Sequence, residues 1–227
     1  DVAIEITPRH VVAVAIAGDR PGRFRVARHA IEALPPGAVT PALNAANISR
    51  PADVAQALTR AWVALGRKPK RVALVVPDGV AKVSFIRFAT VPSRGSDLDD
   101  MIRFQVRKAA PFRIEDAQIA SSLGASVPDG HEYVVVQARR DIIAEYEQVC
   151  AAAGAYAGTV GLATFNVVNA VLGSGSPPSG DWLLIHVDAD AATLAIMRGE
   201  HMVFFRHRGA DGEGHLAELV HQTAMYY

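Results

Sequence analysis

Two segments of the chain, far apart in the sequence, share one pattern. Residues 4–16 form a short alternating stretch with an acid at Glu5, a turn at Pro8 and then an apolar run. Residues 183–197 repeat this order, with Asp188 in the place of the acid. Alternation interrupted by turn residues is typical of a β-hairpin. Two hairpins of one design predict a duplicated α/β fold with a cleft between its halves.

The composition excludes several classes of protein. The chain has 227 residues, of which 50% are hydrophobic, and its 23 basic and 23 acidic side chains cancel. A net charge of zero gives no general attraction to nucleic acid. No apolar run reaches the roughly 18 residues that a membrane-spanning helix needs. The single cysteine, Cys150, excludes an internal disulfide. Its Ala-rich helical surroundings predict a buried apolar thiol rather than a nucleophile, and a reducing cytoplasm fits.

The first half of the chain predicts a helix followed by a buried strand. Pro51 suits the first helical turn, Ser49 precedes it as a candidate N-cap, and Gly66 ends the apolar period. The apolar run at residues 72–76 predicts a strand that is covered on both faces. The inward stripe of the helix is predicted to consist of Val54, Leu58, Ala61, Trp62 and Leu65.

Residues 83–154 predict a β-α-β-β-α module with a sheet of its own. Its first helix is predicted over residues 97–110, with Ser96 as the N-cap. Phe104 lies off the apolar stripe of this helix. The inward stripe is predicted to consist of Leu98, Met101, Ile102, Gln105, Val106 and Ala109.

These patterns divide the chain into three parts. We expect a first core subdomain over residues 1–82, the inserted subdomain over 83–157, and the start of a second core subdomain over 158–227. The helix predicted from Leu216 reaches the last residue with no stop signal. The sequence therefore predicts that the C-terminal part of the second lobe is missing.

Four segments in this order resemble the family of the type IV pilus assembly protein PilM, within the actin-like (ribonuclease H-like) superfamily. They are residues 30–39 (AIEALPPGAV), 70–78 (KRVALVVPD), 101–112 (MIRFQVRKAAPF) and 161–170 (GLATFNVVNA). The resemblance extends over essentially the whole chain. It implies an actin-like, two-lobed fold in which an inserted subdomain replaces one actin subdomain.

The resemblance also implies a function. Members of this family bind the short N-terminal peptide of the inner-membrane protein PilN, in a groove between the first core subdomain and the inserted one. We therefore expect a cytoplasmic scaffold, peripheral at the inner membrane, that contacts other pilus machine components and does not insert into the membrane. Two alternatives stay open. One is an ATP-binding actin-like switch, and the other is the GspL-type cytoplasmic domain of a type II secretion system.

The resemblance places an ATP site in the central cleft, but the matching turns depart from the family pattern. The first turn has Glu5 in the acid position and Thr7 where the family has glycine. Glycine lets the backbone approach a phosphate closely. The second turn keeps Asp188, has Asp190 in place of glycine, and continues to Thr193. A carboxylate about 4 Å from a phosphate oxygen costs about 4 kcal/mol at an effective dielectric of about 20. We expect no ATP, or weakly bound ATP with Mg, and no catalysis.

The best candidates for partner binding lie on or near the inserted module. Aromatic side chains in a groove can hold the apolar side chains of a peptide, and arginines can hold its carbonyl or acidic groups. Core packing is the alternative for each aromatic residue. The candidates are Phe85, Arg87, Arg103, Phe104 and Phe112.

Other charged and metal-binding patterns are weak. The eight histidines include pairs spaced by six, which does not place two rings on one helical face, so we expect no metal site. The short basic runs at residues 67–71 and 139–140 favour solvated ends of secondary-structure elements over a lipid site.

Overall fold

The computed structural model describes residues 1–20, 23–174, 178–188, 191–209 and 216–226. Within these ranges the chain forms eleven β-strands and five α-helices. The strands are β1 Val2–Ile6, β2 His10–Arg20, β3 Arg23–Ala33, β4 Arg71–Val76, β5 Ala81–Phe88, β6 Ala117–Val127, β7 Gly130–Arg139, β8 Tyr156–Leu162, β9 Asp181–Asp188, β10 Ala191–Arg198 and β11 His201–Gly209. The helices are α1 Pro51–Leu65, α2 Gly95–Arg107, α3 Arg140–Ala152, α4 Ala163–Leu172 and α5 Leu216–Tyr226.

The first of two compact units contains Asp1–Lys82, Ala110–Gln118 and Gln137–Asn169. Its five-stranded sheet has the order β3-β2-β1-β4-β8. The strands β1, β2 and β3 form an antiparallel meander. On its other side β1 pairs in parallel with β4, which pairs in parallel with β8. The central strand β1 alternates between buried and half-buried residues, as its sequence predicts.

Helix α1 packs against β2, β3 and α3. Its predicted stripe is confirmed, because all five of those side chains are buried. Pro51 begins the helix, and Gly66 ends it in the left-handed conformation with φ of 68°. The prediction for β4 was wrong in one respect. Ala73 is exposed, so this strand is not covered completely on both faces.

Both predicted N-caps were wrong. The Ser49 hydroxyl donates to the Gly37 carbonyl at 2.6 Å, and Arg50 occupies the N-cap without a side-chain hydrogen bond. Ser96 lies inside α2, where its hydroxyl donates to Asp97 Oδ1 at 3.3 Å. Helix α2 also starts and ends earlier than predicted, and Gln105 and Ala109 are exposed instead of inward. Serine has several local hydrogen-bonding choices, and composition alone does not select among them.

The second compact unit contains Val83–Ala109, Ile119–Val136 and Ala170–Tyr227. Its elements β5, α2, β6 and β7 follow in the predicted order, and their strands form a sheet of order β5-β7-β6. Helix α3, the last element of the predicted β-α-β-β-α module, follows β7 in the chain but belongs to the first unit. Phe88 and Tyr133 pack edge to face across this sheet, with ring centroids 6.0 Å apart. Gly130 turns the chain into β7 with φ of 142°, and a Cβ there would collide with the Phe88 carbonyl.

The second hairpin forms a separate sheet of order β11-β10-β9. Its strands are all antiparallel, with Asp188 paired to Ala191 at the hairpin end of β9 and β10. The meander β9-β10-β11 thus repeats the meander β1-β2-β3, so the duplication predicted from the sequence is confirmed. Within the described residues β9 pairs only with β10, and Leu183, Ile185 and Val187 on one of its faces are exposed.

The division at residues 82 and 157 stays a prediction. The compact units gather segments by contact rather than by chain order, so they divide the inserted module differently from the sequence. Helix α3, for example, lies in the first unit, where it packs against α1 and β8.

The connection between β3 and α1 is organised by one buried amide. Asn47 Nδ2 donates to the carbonyls of Ala42 and Ala45 at 2.9 and 2.8 Å, and its Oδ1 accepts from the Ala42 N–H at 3.1 Å. The Tyr146 hydroxyl of α3 donates to the same Oδ1 at 3.1 Å. From the same helix, the Glu145 carboxylate accepts the backbone N–H of Asn47 at 2.7 Å. The connection is therefore fixed to α3 by hydrogen bonds.

Replacing Asn47 tests this organisation. We expect Asn47→Ala to lower the free energy of unfolding by about 2 to 4 kcal/mol, because buried polar partners lose their hydrogen bonds. Urea denaturation followed by circular dichroism measures the change. Asn44→Ala is the matched control, because the Asn44 side chain is exposed and its carbonyl, which accepts from Arg139, is retained. Equal stability of the two variants would contradict the assigned role.

Candidate functional site

The first hairpin turn is closed by its own threonine. The Thr7 hydroxyl accepts from the backbone N–H groups of Arg9 and His10, at 3.2 and 3.0 Å. The same hydroxyl donates to the His10 carbonyl at 3.0 Å, and the Thr7 N–H donates to that carbonyl at 2.9 Å. A hydroxyl offers one donor and two acceptor sites, and here all three are used.

This closure decides what the turn can bind. Pro8 has no N–H, and the N–H groups of Thr7, Arg9 and His10 are all bound within the turn. Phosphate-binding turns hold the anion through free backbone N–H groups. The residues at this turn therefore do not fit a nucleotide phosphate in the observed conformation. Sequence reasoning found the missing glycine but not the closure, for which a hydroxyl residue beside a turn proline was the available signal.

The turn also has no need of glycine. None of the described non-glycine residues has a positive φ, so residues 7–10 form this connection with ordinary backbone conformations. Glu5 is half-buried in the centre of the sheet, where it pairs with Val12 on one side and with Val75 on the other. The acid therefore lies at the carboxyl end of β1, where open sheets of this class bind ligands.

The second hairpin is described only in part. Asp188 is half-buried at the end of β9 and has interactions of its own. Asp190 lies outside the described residues, so its predicted role stays a prediction. Thr193 is buried in β10, and its hydroxyl forms a hydrogen bond of 2.9 Å with His207 Nδ1 on β11. This threonine is therefore positioned by a cross-strand hydrogen bond.

A buried carboxylate that the sequence analysis missed lies at the carboxyl end of β4. Asp78 Oδ1 accepts from the Thr164 backbone N–H at 3.1 Å, and Oδ2 accepts from the Thr164 hydroxyl. Thr164 is in the first turn of α4, so a negative charge lies where the helix dipole favours it. The contact joins the end of β4 to the helix that follows β8. The available signal was an acid directly after a buried strand.

Helix α2 presents two of the predicted partner-binding residues. Its buried side chains are Ile102 and Val106, and Phe104 lies between them in sequence with 73% of its surface exposed. Arg103 is also exposed and has an interaction partner. The prediction that Phe104 lies off the buried stripe is therefore confirmed, whereas its role in binding stays a prediction. A large exposed aromatic side chain is the feature of this helix that buried packing does not explain.

The remaining candidates are in other elements. Phe85 is half-buried on β5, and Arg87 on the same strand donates to Glu132 Oε2 on β7 at 2.9 Å. The Glu132 side chain is 6% exposed, and sequence reasoning did not single it out. Phe112 is half-buried and belongs to the first compact unit. The structure thus brings Phe85 and Arg87 together on one strand, and Arg103 and Phe104 on one helix.

The sequence also led us to expect an unreactive Cys150 and no histidine metal site. Cys150 is fully buried in α3, and burial raises the pKa of its thiol from 9.0 to about 12. A thiol held neutral in this way is a poor nucleophile. The part of the chain that the structure describes contains no group of three or more His, Cys, Asp or Glu placed to hold a metal ion. No helix among those residues is both long and apolar enough to cross a bilayer.

The chain contains two antiparallel meanders of the same design, and the sheet of the first meander continues with the parallel strands β4 and β8. This arrangement is that of the actin-like ATPase fold. The family model described as type IV pilus assembly protein PilM matches residues 3–226. The chain therefore belongs to this family.

Solved structures agree with this fold. A chain of a PilM–PilN type IV pilus biogenesis complex matches with a TM-score of 0.78 and 18% identity, over 92% of this chain and 61% of that chain. The cytoplasmic domain of EpsL, an inner-membrane component of the type II secretion system of Vibrio cholerae, matches with a TM-score of 0.56 and 10% identity, over 92% and 70%. A Bacteroides thetaiotaomicron protein with an actin-like ATPase fold matches with a TM-score of 0.50 and 7% identity, over 99% and 74%. No curated protein sequence matches the chain.

Replacing Thr7 tests the closed turn. We expect Thr7→Val to lower the free energy of unfolding by about 1 to 2 kcal/mol, because two N–H groups lose their acceptor. Denaturant titration measures the loss. Thr59→Val makes the same chemical change on the exposed face of α1 and should stay within about 0.5 kcal/mol of the parent protein. A Thr7 variant as stable as this control would show that the hydroxyl does not hold the turn.

Burial of Cys150 predicts a thiol that reacts slowly with disulfide reagents. The native protein should react with an aromatic disulfide reagent at pH 8 much more slowly than the same protein in denaturant, because the buried thiol stays protonated. The raised pKa also means that the native state keeps this proton when the unfolded state has lost it. Its contribution to stability is therefore complete below about pH 9 and declines as the pH rises toward 12. Equal reaction rates in the native and unfolded states would contradict the burial.

Proposed function

We propose that this chain is a non-catalytic scaffold of a type IV pilus inner-membrane complex, and that it binds the N-terminal peptide of a PilN-like membrane protein. The observation that carries the proposal is the match to a chain of the PilM–PilN complex, together with family membership over residues 3–226. The chain spans 61% of the length of that structural relative, so the function of the whole protein is part of the proposal. The protein would work on the cytoplasmic side of the inner membrane, held there by its partner.

The exposed side of α2 supports a role in peptide binding. Phe104 offers a rigid aromatic side chain, and the adjacent Arg103 offers a guanidinium for carbonyl or acidic groups of a peptide. Aromatic and arginine side chains account for much of the binding energy at protein interfaces. On β5, Arg87 is held by the buried Glu132, so its charge is fixed in position rather than free to move. We include Phe85 and Phe112 as further candidates in the same role.

We propose that ATP with Mg binds weakly or not at all, and that hydrolysis is absent. The closed first turn supports this proposal, because its backbone N–H groups are bound to Thr7 and His10. The half-buried Asp188 at the end of β9 favours the alternative of an ATP-binding actin-like switch. A secretion-system role similar to that of the EpsL cytoplasmic domain is a second alternative, supported by a more distant structural match.

A peptide titration tests the scaffold proposal. We expect a one-to-one complex with the N-terminal cytoplasmic peptide of the PilN-like protein from the same organism, measured by isothermal titration calorimetry. Phe104→Ala should weaken it at least about tenfold, as expected for an aromatic side chain at the centre of an interface. Val26→Ala is the matched control, because Val26 is an exposed apolar residue on the edge strand β3. No binding by the parent protein would count against the scaffold, and equal effects of the two variants would remove Phe104 from the site.

Thermal unfolding in the presence of ATP and Mg distinguishes the proposed scaffold from an ATP-binding switch. At millimolar ATP and Mg we expect no measurable rise in Tm, because a ligand stabilises the folded state only when its concentration exceeds its Kd. A rise in Tm that Asp188→Ala abolishes would favour the ATP-binding switch instead.

A further inference from the structure

Five cationic side chains gather at one end of the first compact unit. Helix α1 ends there at Gly66 and α3 ends there before Gly154, and the parallel strands β4 and β8 begin there. The Tyr156 N–H that opens β8 donates to the Lys70 carbonyl at 3.0 Å, which joins the two strand starts. All five cations are exposed, and we call this end of the unit the basal surface. They are Arg28, Arg67, Lys68, Lys70 and Arg71.

The basal cations are held in place without acidic partners. Arg28 donates to the Leu65 carbonyl at the end of α1 at 3.3 Å, and the Lys68 side chain lies over Gly154 at the end of α3. Among the described residues, none of the five forms an ion pair with a carboxylate. Two helix C-termini carry a partial negative charge of about one elementary charge between them. They offset only part of the five positive charges, in a chain whose overall net charge is zero.

Exposed apolar and aromatic groups lie among these cations. An open depression of about 340 Å³ is lined by Trp62, Val63 and Ala153, with Arg67 and Lys68 at its side. Val63 is 78% exposed although it follows the buried Trp62. Tyr156 is 57% exposed, and the Arg71 guanidinium lies 5.9 Å from the centre of its ring. Core packing explains neither the exposed Val63 of α1 nor the exposed Tyr156 of β8.

We propose that the basal surface adsorbs to anionic phospholipid headgroups. Its cations are opposite in charge to such a surface, and each basic residue near an anionic leaflet adds to the attraction. Tyrosine, with an apolar ring and a polar hydroxyl, suits the boundary between headgroups and acyl chains. Val63 and the depression beside it provide an apolar contact of limited depth, so the protein lies on the membrane without crossing it. The sequence alone favoured solvated ends for this basic run, because it did not show Val63 and Tyr156 beside it.

This proposal is independent of peptide binding and of nucleotide. Glu5, Thr7 and Asp78 lie at the carboxyl ends of β1 and β4, whereas the basal surface is formed where β4 and β8 begin. None of these residues, and none of the peptide-binding candidates, is among the basal cations, so a failure of nucleotide or peptide binding would not by itself count against lipid binding. A free phosphate could satisfy the cations but would gain nothing from Val63 or Tyr156, so the two ligands can be told apart.

Vesicle co-sedimentation tests the proposal with the protein as it is. We expect binding to phosphatidylcholine vesicles that contain phosphatidylglycerol, little binding to phosphatidylcholine alone, and a steep decrease with added salt. Lys68→Glu with Lys70→Glu should weaken binding at least about tenfold. Lys108→Glu with Arg113→Glu makes the same change in net charge at exposed positions elsewhere and should leave binding close to that of the parent protein. Val63→Ser should also weaken it, compared with Val187→Ser at an exposed position of β9 in the second unit as a control.

Three results would overturn the proposal, and a salt-independent binding curve is a fourth. The three are no binding to phosphatidylglycerol vesicles, equal losses in the two charge-reversal variants, or displacement by millimolar inorganic phosphate at constant ionic strength. The last result would assign the cations to a soluble anion. The salt dependence of the parent protein keeps the test decisive if the basal variant fails to fold, because binding that does not change with salt would also exclude an electrostatic lipid contact.

Discussion

The pairing of β1 on both of its edges organises the first half of the molecule. Antiparallel pairing with β2 fixes the hairpin turn, and parallel pairing with β4 brings a second strand end beside it. Parallel strands direct all their carboxyl ends to one edge of the sheet. Glu5, Thr7 and Asp78 therefore lie at the same end, although Asp78 is far from the other two in sequence. The opposite end necessarily receives the starts of β4 and β8, with the basic residues that precede and open them.

At the carboxyl ends of β1 and β4, polar groups that could contact a ligand form hydrogen bonds within the protein instead. The Thr7 hydroxyl binds the N–H groups of its own turn, and the Asp78 carboxylate binds the start of α4. A buried polar group without a partner costs free energy, so each of these contacts stabilises the observed conformation. A turn of this kind is complete without a ligand. The hairpin shape and the capacity to bind phosphate are therefore separable properties of the fold.

Much of the fold could be predicted because it depends on local periodicity. The two meanders, α1 with its buried stripe, and the β-α-β-β-α order all follow from alternation and helical spacing. The contacts that failed prediction join distant residues. Asn47 with Tyr146 and Asp78 with Thr164 are separated by 99 and 86 positions, and no local pattern announces such partners. The caps failed for a different reason: the Ser49 hydroxyl donates to the Gly37 carbonyl instead of accepting from the first N–H groups of α1, and α2 begins before Ser96. For the candidate site, the off-stripe position of Phe104 was readable from the sequence, but the closure by Thr7 needed the geometry of the turn.

A turn that is closed without nucleotide changes what the protein can respond to. In a nucleotide-dependent switch, the phosphate supplies hydrogen bonds that one state lacks, and that difference in free energy shifts the equilibrium between states. Here the first turn has its hydrogen bonds already, so a phosphate at this place would have to break three contacts of Thr7 before making its own. A ligand with no preference between two states shifts neither of them. For the proposed scaffold, we therefore infer that a change of state at this end of the sheet would be driven by contacts made elsewhere on the molecule. Among the described residues, the exposed side of α2 and the basal surface are two places that present exposed aromatic or apolar side chains beside cationic ones, and the two proposals assign such contacts to them.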